Sequence, residues 1–501
     1  MDLSGLALGL ETALQPENIL FCLIGVALGT AVGVLPGIGP TATVALLLPL
    51  TFNFDPVASL IMLAGIYYGA QYGGSTTAIL INLPGESSAA VTALDGHQMA
   101  KQGRAGPALA TAALGSFFAG TVATVLVALF APPLAAAALK FGPAEYFALV
   151  VLGLIASISL ASGSTVKALA MIVLGLLLGT LGQDLYTGVP RFTFGVRELY
   201  GGLDFVSIAV GLFGLAEIIR NLEHRHRSAK QMITKVENLW LTRGEFRQIT
   251  PPVLRGTTMG SLLGVLPGGG HVLASFASYA VEKRVSKSPE RFGRGAIEGV
   301  AGPESANNAA AQTSFIPLLT LGLPANPVMA LLFGAFVIQG ITPGPNVIDD
   351  EPVLFWGLIA SFWIGNLLLV LLNLPLIGIW VKMLAVPYGV LFPAIIAFAT
   401  IGTYSLGQNP WDVFVIAVIG LLGYALIRWG CEPTPLLLGF ILGPLLEENL
   451  RRAMIISRGD PSVFVTQPIS AVLLGLAVVF LVVAASPSVR RKREVVFSEE
   501  D

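Results

Sequence analysis

Two short runs of glycine and proline carry the first chemical signal. Gly29-Thr-Ala-Val-Gly-Val-Leu-Pro-Gly-Ile-Gly39 returns as Gly260-Ser-Leu-Leu-Gly-Val-Leu-Pro-Gly-Gly-Gly270, with every glycine of the first copy and its proline in register. Each run places a Pro-Gly-x-Gly break inside an apolar stretch, so backbone N–H and C=O groups lose their helical partners. In lipid each such group costs several kcal/mol, and a break is tolerated only inside protein or against a polar cavity. The residues after Pro36 and Pro267 start new helices whose free N–H groups and positive dipole ends attract anions. Gly37, Gly39, Gly268, Gly269 and Gly270 let a ligand approach the backbone. Thr41 and His271 stand in the turns that follow, and the imidazole could donate to a carboxylate or titrate near neutral pH. Together these residues are the expected anion-binding set, although small residues also serve plain helix packing in membranes.

A second polar segment follows each break. Gly73-Gly-Ser-Thr-Thr-Ala-Ile-Leu-Ile-Asn-Leu-Pro-Gly85 corresponds to Pro303-Glu-Ser-Ala-Asn-Asn-Ala-Ala-Ala-Gln-Thr-Ser, continuing to Leu321-Gly-Leu-Pro-Ala325. Hydroxyls and amides donate to carboxylates, which adds Ser75, Thr76, Thr77 and Asn307 to the substrate side. Amide oxygens and freed backbone carbonyls suit a hard cation such as Na⁺, which points to Asn82, Pro84, Asn308, Thr313 and Leu323. The competing reading of all of these is interhelical hydrogen bonding. Glu86 and Glu304 beside the same segments are ionisable residues at membrane depth, and hence functional candidates, or else interfacial caps.

These residues must be positioned by membrane helices. The chain has 501 residues, 54% hydrophobic and only 12% charged, with a mean hydropathy of +0.78. Apolar runs at 107–130, 143–162, 164–182, 203–219, 353–372, 387–406, 411–428 and 467–485 approach membrane-spanning length. The expected fold is an all-α polytopic membrane protein with about 11–12 transmembrane segments. Barrel-like alternation is absent. The net charge of −2 says nothing about nucleic-acid or acidic partners; the charge mixture from His224 to Lys235 is read as a solvated linker, so no nucleic-acid partner is expected, and Cys22 and Cys431 have no metal-ligand spacing around them. Met1-Asp-Leu-Ser lacks the basic start of a cleaved signal peptide. Neither a Walker A motif nor His-Glu-x-x-His nor Gly-x-Ser-x-Gly occurs, so no enzyme is expected.

The repeat sets the organisation. Residues 1–219 form the first copy, with a hairpin at 17–52 and an interrupted helix at 57–93. A cytoplasmic linker, 220–252, leads to the second copy at 253–450, with a hairpin at 253–281 and an interrupted helix at 302–341. An additional helix at 467–485 and a tail at 486–501 complete the chain. No Lys or Arg flanks 17–52, whereas Arg243, Arg247 and Arg255 precede or open the second hairpin and Lys283, Arg284, Lys287, Arg291 and Arg294 follow it. Positive charge favours the cytoplasmic side, so the copies are expected to have inverted topology, with their tips meeting near the midplane. Lys140, Arg191, Arg197, Arg451, Arg452 and Arg458 then fall outside, where they could receive an acidic partner.

Gly33-Val-Leu-Pro-Gly-Ile-Gly-Pro40, Ser75 through Glu86, Thr187-Gly-Val-Pro-Arg-Phe-Thr-Phe-Gly195, Pro303-Glu-Ser-Ala-Asn-Asn-Ala309 and Pro444-Leu-Leu-Glu-Glu-Asn-Leu-Arg451 resemble the large membrane subunit of the tripartite tricarboxylate transporters, the TctA family. Ala325 departs from the glycine usual in that family. The resemblance implies a multi-pass subunit in a bacterial inner membrane, importing a di- or tricarboxylate delivered by a periplasmic solute-binding protein. It implies a small membrane subunit as partner, coupling to a Na⁺ or H⁺ gradient, and no other cofactor. The alternative is a passive anion channel or carboxylate exporter that needs no binding protein; a third reading is a membrane scaffold.

Overall fold

The computed structural model describes residues 3–35, 38–52, 54–158, 164–184, 186–224, 236, 238–266, 270–384 and 388–485. The protein is an all-α polytopic membrane protein. Five described helices are long and apolar enough to cross a membrane: Pro16–Gly33, Ala105–Ala138, Phe205–Glu223, Pro352–Asn373 and Pro410–Arg428. Shorter apolar helices, Pro143–Ser157, Thr165–Gly179 and Pro468–Ala484 among them, accompany these. One departure from the all-helical expectation is a two-residue antiparallel ladder, Gly182–Gln183 with Pro190–Arg191.

Proline punctuates the chain. Helices start with Pro at the first helical position at Pro16, Pro40, Pro56, Pro143, Pro327, Pro352, Pro410 and Pro433, where its fixed φ suits the helix and its missing N–H costs nothing. Side-chain caps reinforce some starts. Asp55 Oδ1 accepts from Val57 N at 2.9 Å, and Asn326 Oδ1 accepts from Met329 N at 2.9 Å. A reciprocal Thr242–Glu245 capping box opens the helix Arg243–Gly264. That helix therefore begins inside the range read as linker and runs through Pro251 and Pro252. Arg225 to Lys235 of that linker lie outside the described residues, as does the tail from 486.

Each hairpin locks onto its interrupted helix through glycines spaced by four. Gly25, Gly29 and Gly33 press on the backbone carbonyl groups of Met62, Ile66 and Ala70 in Pro56–Ile81. Gly256, Gly260 and Gly264 meet those of Gly302, Ala306 and Ala310 in Glu298–Thr313 in the same order. The sequence repeat is thus also a repeat of contacts. Such close backbone approach is how helices associate where lipid offers no hydrophobic drive. Pro56–Ile81 is buried almost throughout, as a helix apolar on all sides should be.

Both interrupted helices stop in the same way. Pro56–Ile81 ends at Asn82 with φ +57°, and Phe315–Leu321 ends at Gly322 with φ +66°; each is followed by Leu-Pro. The left-handed residue ends the helix and the proline stops its return. Upstream, Pro317 has no N–H for the Thr313 carbonyl, and the second helix is already interrupted at Ser314. The halves interleave: Ala105–Ala138 packs on Glu298–Thr313, and Pro352–Asn373 packs on Pro56–Ile81 and Ala105–Ala138. The C-terminal helix Pro468–Ala485 lies on Pro143–Ser157.

Candidate functional site

At the first break three backbone segments converge. Gly39 caps Pro40–Thr51, and a Cβ there would sit 3.4 Å from the Gly85 carbonyl oxygen. Gly85 N donates to Gly74 O at 3.4 Å, and a Cβ on Gly85 would meet Gly33 O at 2.8 Å. Hairpin tip, helix face and Leu-Pro-Gly turn therefore touch. Pro36 and Gly37 lie outside the described residues. Thr41 is half-buried in the first turn after the tip. Thr76 and Thr77 are buried but return their hydroxyls to their own helix, to Tyr72 O at 3.1 Å and Gly74 O at 2.8 Å. Asn82 is exposed and Pro84 half-buried, so neither side chain joins the buried cluster described below.

At the second break Gly270 opens Gly270–Val285 and lies 2.9 Å, measured from its ideal Cβ, from Gly264 Cα. Pro267, Gly268 and Gly269 lie outside the described residues. His271 Nδ1 is buried without a partner among the described residues. Thr313 donates to Ala309 O at 3.0 Å and borders Gly264. Leu323 is buried, its methyl 3.5 Å from where a Gly153 Cβ would stand.

The strongest concentration of polar groups lies between the halves. Glu86 Oε1 accepts from Ser88 Oγ at 2.5 Å and from Asn307 Nδ2 at 2.7 Å. Glu304 accepts from Ser75 Oγ at 2.9 Å and Thr92 Oγ1 at 2.5 Å. Ser75, Glu86 and Thr92 come from the first copy, and Glu304 and Asn307 from the second. Both carboxylates are buried, and each of these partners is neutral. Asn308 turns the other way, donating to Ser116 Oγ at 2.6 Å, and Gln312 Oε1 accepts from Thr124 Oγ1 at 2.6 Å. Glu86 Oε2, Asn307 Oδ1 and the hydroxyls of Tyr68 and Tyr72 are buried with no partner among the described residues. Buried polar atoms are ordinarily bonded, so this many orphans in one region indicates a place for a ligand or water. Ser88, Thr92, Ser116 and the tyrosines were not singled out by sequence; the recurrence of Tyr68 and Tyr72 one turn apart was their only signal.

Several arginines read as outer docking charges are already paired. Arg191 Nη1 contacts Glu447 at 2.9 Å, Arg451 contacts Asp184 and Glu447 at 2.6 Å each, and Arg452 contacts Glu448 at 2.9 Å. Lys140, Arg197 and Arg458 remain exposed. The Arg451 guanidinium, together with the N–H groups of Thr187 and Tyr186, holds the Asp184 carboxyl well below the usual carboxylate range. A depressed folded-state value gives stability that is present above the unfolded-state pKa and lost as pH falls through the folded one. Limited proteolysis of the 180–204 segment should therefore show protection that persists below pH ~4, the ordinary Asp value. In Arg451→Ala the loss of protection moves up toward that value; an unshifted onset would remove Arg451 as its cause.

The family model described as Tripartite tricarboxylate transporter TctA family matches residues 19–438. An uncharacterized 52.8 kDa protein in the TAR-I ttuC' 3'region of Agrobacterium vitis is 71% identical over 503 residues, covering 100% of both chains. An uncharacterized protein in the TAR-II ttuC' 3'region of the same organism is 74% identical over 242 residues, which is 48% of this chain and all of that one. No solved structure matches.

Proposed function

Because the chain belongs to the tripartite tricarboxylate transporter TctA family, we propose that it is the permease of a binding-protein-dependent secondary transporter that imports a di- or tricarboxylate across a bacterial inner membrane. A periplasmic solute-binding protein delivers the substrate, and a small membrane subunit completes the assembly. Gly39, Thr41, Gly270 and His271 at the hairpin ends, with Asn307 between the halves, form the anion site. The helix starts there offer free N–H groups, and His271 Nδ1 and the Asn307 amide add side-chain groups.

One observation carries the coupling. Glu86 and Glu304 sit buried beside this anion site with only neutral hydrogen-bond partners. Two carboxylates in a low-dielectric enclosure repel a third, so a substrate anion enters favourably only with compensating cations. That supports import driven by a Na⁺ or H⁺ gradient over a passive anion path. The test is uptake of labelled di- and tricarboxylates into proteoliposomes that hold this chain and its small subunit. Uptake should require both the purified binding protein and an inward ion gradient. Uptake indifferent to both would replace this reading with a channel or exporter.

A further inference from the structure

A small cavity behind the first break is lined on its polar side by Tyr72, Ser75, Thr76, Ser116, Glu304 and Asn373, and elsewhere by apolar residues of Ala105–Ala138. None of the six is more than 5% exposed. Their hydrogen-bond accounts leave oxygens over. The Tyr72 hydroxyl has no partner among the described residues. Asn373 spends its Nδ2 on Leu369 O at 3.0 Å and leaves Oδ1 unpartnered. Ser116 Oγ accepts from Asn308 and keeps a lone pair. The Glu304 oxygens receive only hydroxyls, from Ser75, Thr92 and the neighbouring Ser116.

This is a set of hard oxygens with one formal negative charge, enclosed at membrane depth. A buried carboxylate without a positive partner is strongly disfavoured; water fills vacancies without cancelling the charge, and a proton on Glu304 cancels the charge but serves at most one of the spare oxygens, whereas a cation does both. Among the described residues no three His, Cys, Asp or Glu side chains gather as a transition metal would need. Glu304 is the one carboxylate in the lining, where a calcium site would normally collect several.

We propose that this cavity binds a single alkali cation of the Na⁺ class, with Glu304 as the charged ligand and Tyr72, Asn373 and Ser116 as neutral oxygen ligands. The ligands come from four helices, Pro56–Ile81, Ala105–Ala138, Glu298–Thr313 and Pro352–Asn373, so the ion ties both halves together. It lies apart from the cation set read from sequence: of Asn82, Pro84, Asn308, Thr313 and Leu323, Asn308 borders it, through Ser116. That the ion drives uptake rests on the importer reading; that it binds does not.

The test uses the purified full-length chain in detergent, without carboxylate, comparing NaCl with choline chloride at constant ionic strength. Radioactive sodium should bind saturably, and the melting temperature should rise with Na⁺ concentration, since a ligand of the native state stabilises it. Glu304→Gln should weaken Na⁺ binding on the order of 100-fold by removing the buried charge. Tyr72→Phe should weaken it roughly tenfold, yet leave the ion-free melting temperature unchanged or higher because it removes an orphan hydroxyl. Should Glu304→Gln fail to fold, Tyr72→Phe alone decides. Absence of saturable sodium binding, or a Tyr72→Phe variant that binds like the wild type, would overturn the site. Intact sodium binding with no carboxylate uptake would instead overturn the importer and leave the site standing.

Discussion

Asp95→Ala should destabilise the protein by roughly 3–5 kcal/mol, because four donors lose their shared buried acceptor, and its melting temperature in detergent should fall accordingly. Asp95 is fully buried on the helix Ala89–Lys101 that follows the first break. Its Oδ1 accepts from the backbone N–H groups of Gly293, Gly295 and Ala296 at 2.9, 2.8 and 2.8 Å. Its Oδ2 accepts from the Tyr279 hydroxyl at 2.9 Å. Gly293 at φ +80° and Gly295 at φ +102° curl this segment so that its N–H groups converge, a backbone nest for an anion. Alanine leaves three amides and a phenol without their acceptor, and each orphaned group costs about 1–3 kcal/mol before relaxation. Asp95→Asn keeps an acceptor while losing the charge, so it should cost less than alanine. The contact joins the helix after the first break to the start of the second interrupted helix, so carboxylate uptake should fall with stability. An unchanged melting temperature for Asp95→Ala would mean that the nest finds another acceptor and that the halves are held elsewhere.

Nothing in the sequence around Asp95 marks it, and that is representative of what was hidden. The spans at 107–130, 353–372 and 411–428 were legible because lipid demands long apolar runs, and they lie within the helices Ala105–Ala138, Pro352–Asn373 and Pro410–Arg428. The breaks were legible because a Pro-Gly-x-Gly or Leu-Pro run inside an apolar stretch removes helical hydrogen bonds. At the second Leu-Pro break the left-handed φ falls on Gly322 and not on Ala325, so alanine fits where the family has glycine. Glu86 and Glu304 stood out because charge is scarce in this chain. Their partners did not, because Ser75 meets Glu304 across 229 positions and Thr92 meets it across 212. A serine or threonine in an apolar helix looks the same whether it returns its hydroxyl to its own backbone, as Thr76 does, or sends it across the fold, as Ser75 does. The helix Arg243–Gly264 begins within the range read as linker, where the Thr242–Glu245 box sets its start.

Gly260→Leu should prevent the second hairpin from seating, at a cost of about 3 kcal/mol or more, the upper range for overpacking. A Cβ at Gly260 would stand 2.8 Å from both the carbonyl carbon and Cα of Ala306, and these are backbone atoms that cannot rotate away. The helices must separate, and Ala306 precedes Asn307, whose amide reaches Glu86 at 2.7 Å. Separation therefore disturbs the contact between the halves as well as the hairpin. Gly29→Leu should behave alike, because its Cβ would stand 2.8 Å from the carbonyl carbon of Ile66 in the corresponding place. Gly475→Leu is the control: nothing lies within 4 Å of a Cβ there, and a larger apolar side chain in a helix with that much room is compatible with lipid. The comparison is read from the yield of monodisperse protein in detergent and its melting temperature. Two collapsed variants and one intact control would show that backbone-to-backbone packing seats the hairpins. If Gly260→Leu melts like the wild type, the hairpin must instead be seated by polar contacts to Glu298–Thr313 such as Ser275 Oγ to Pro303 O at 3.3 Å, and Ser275→Ala would become the more damaging change.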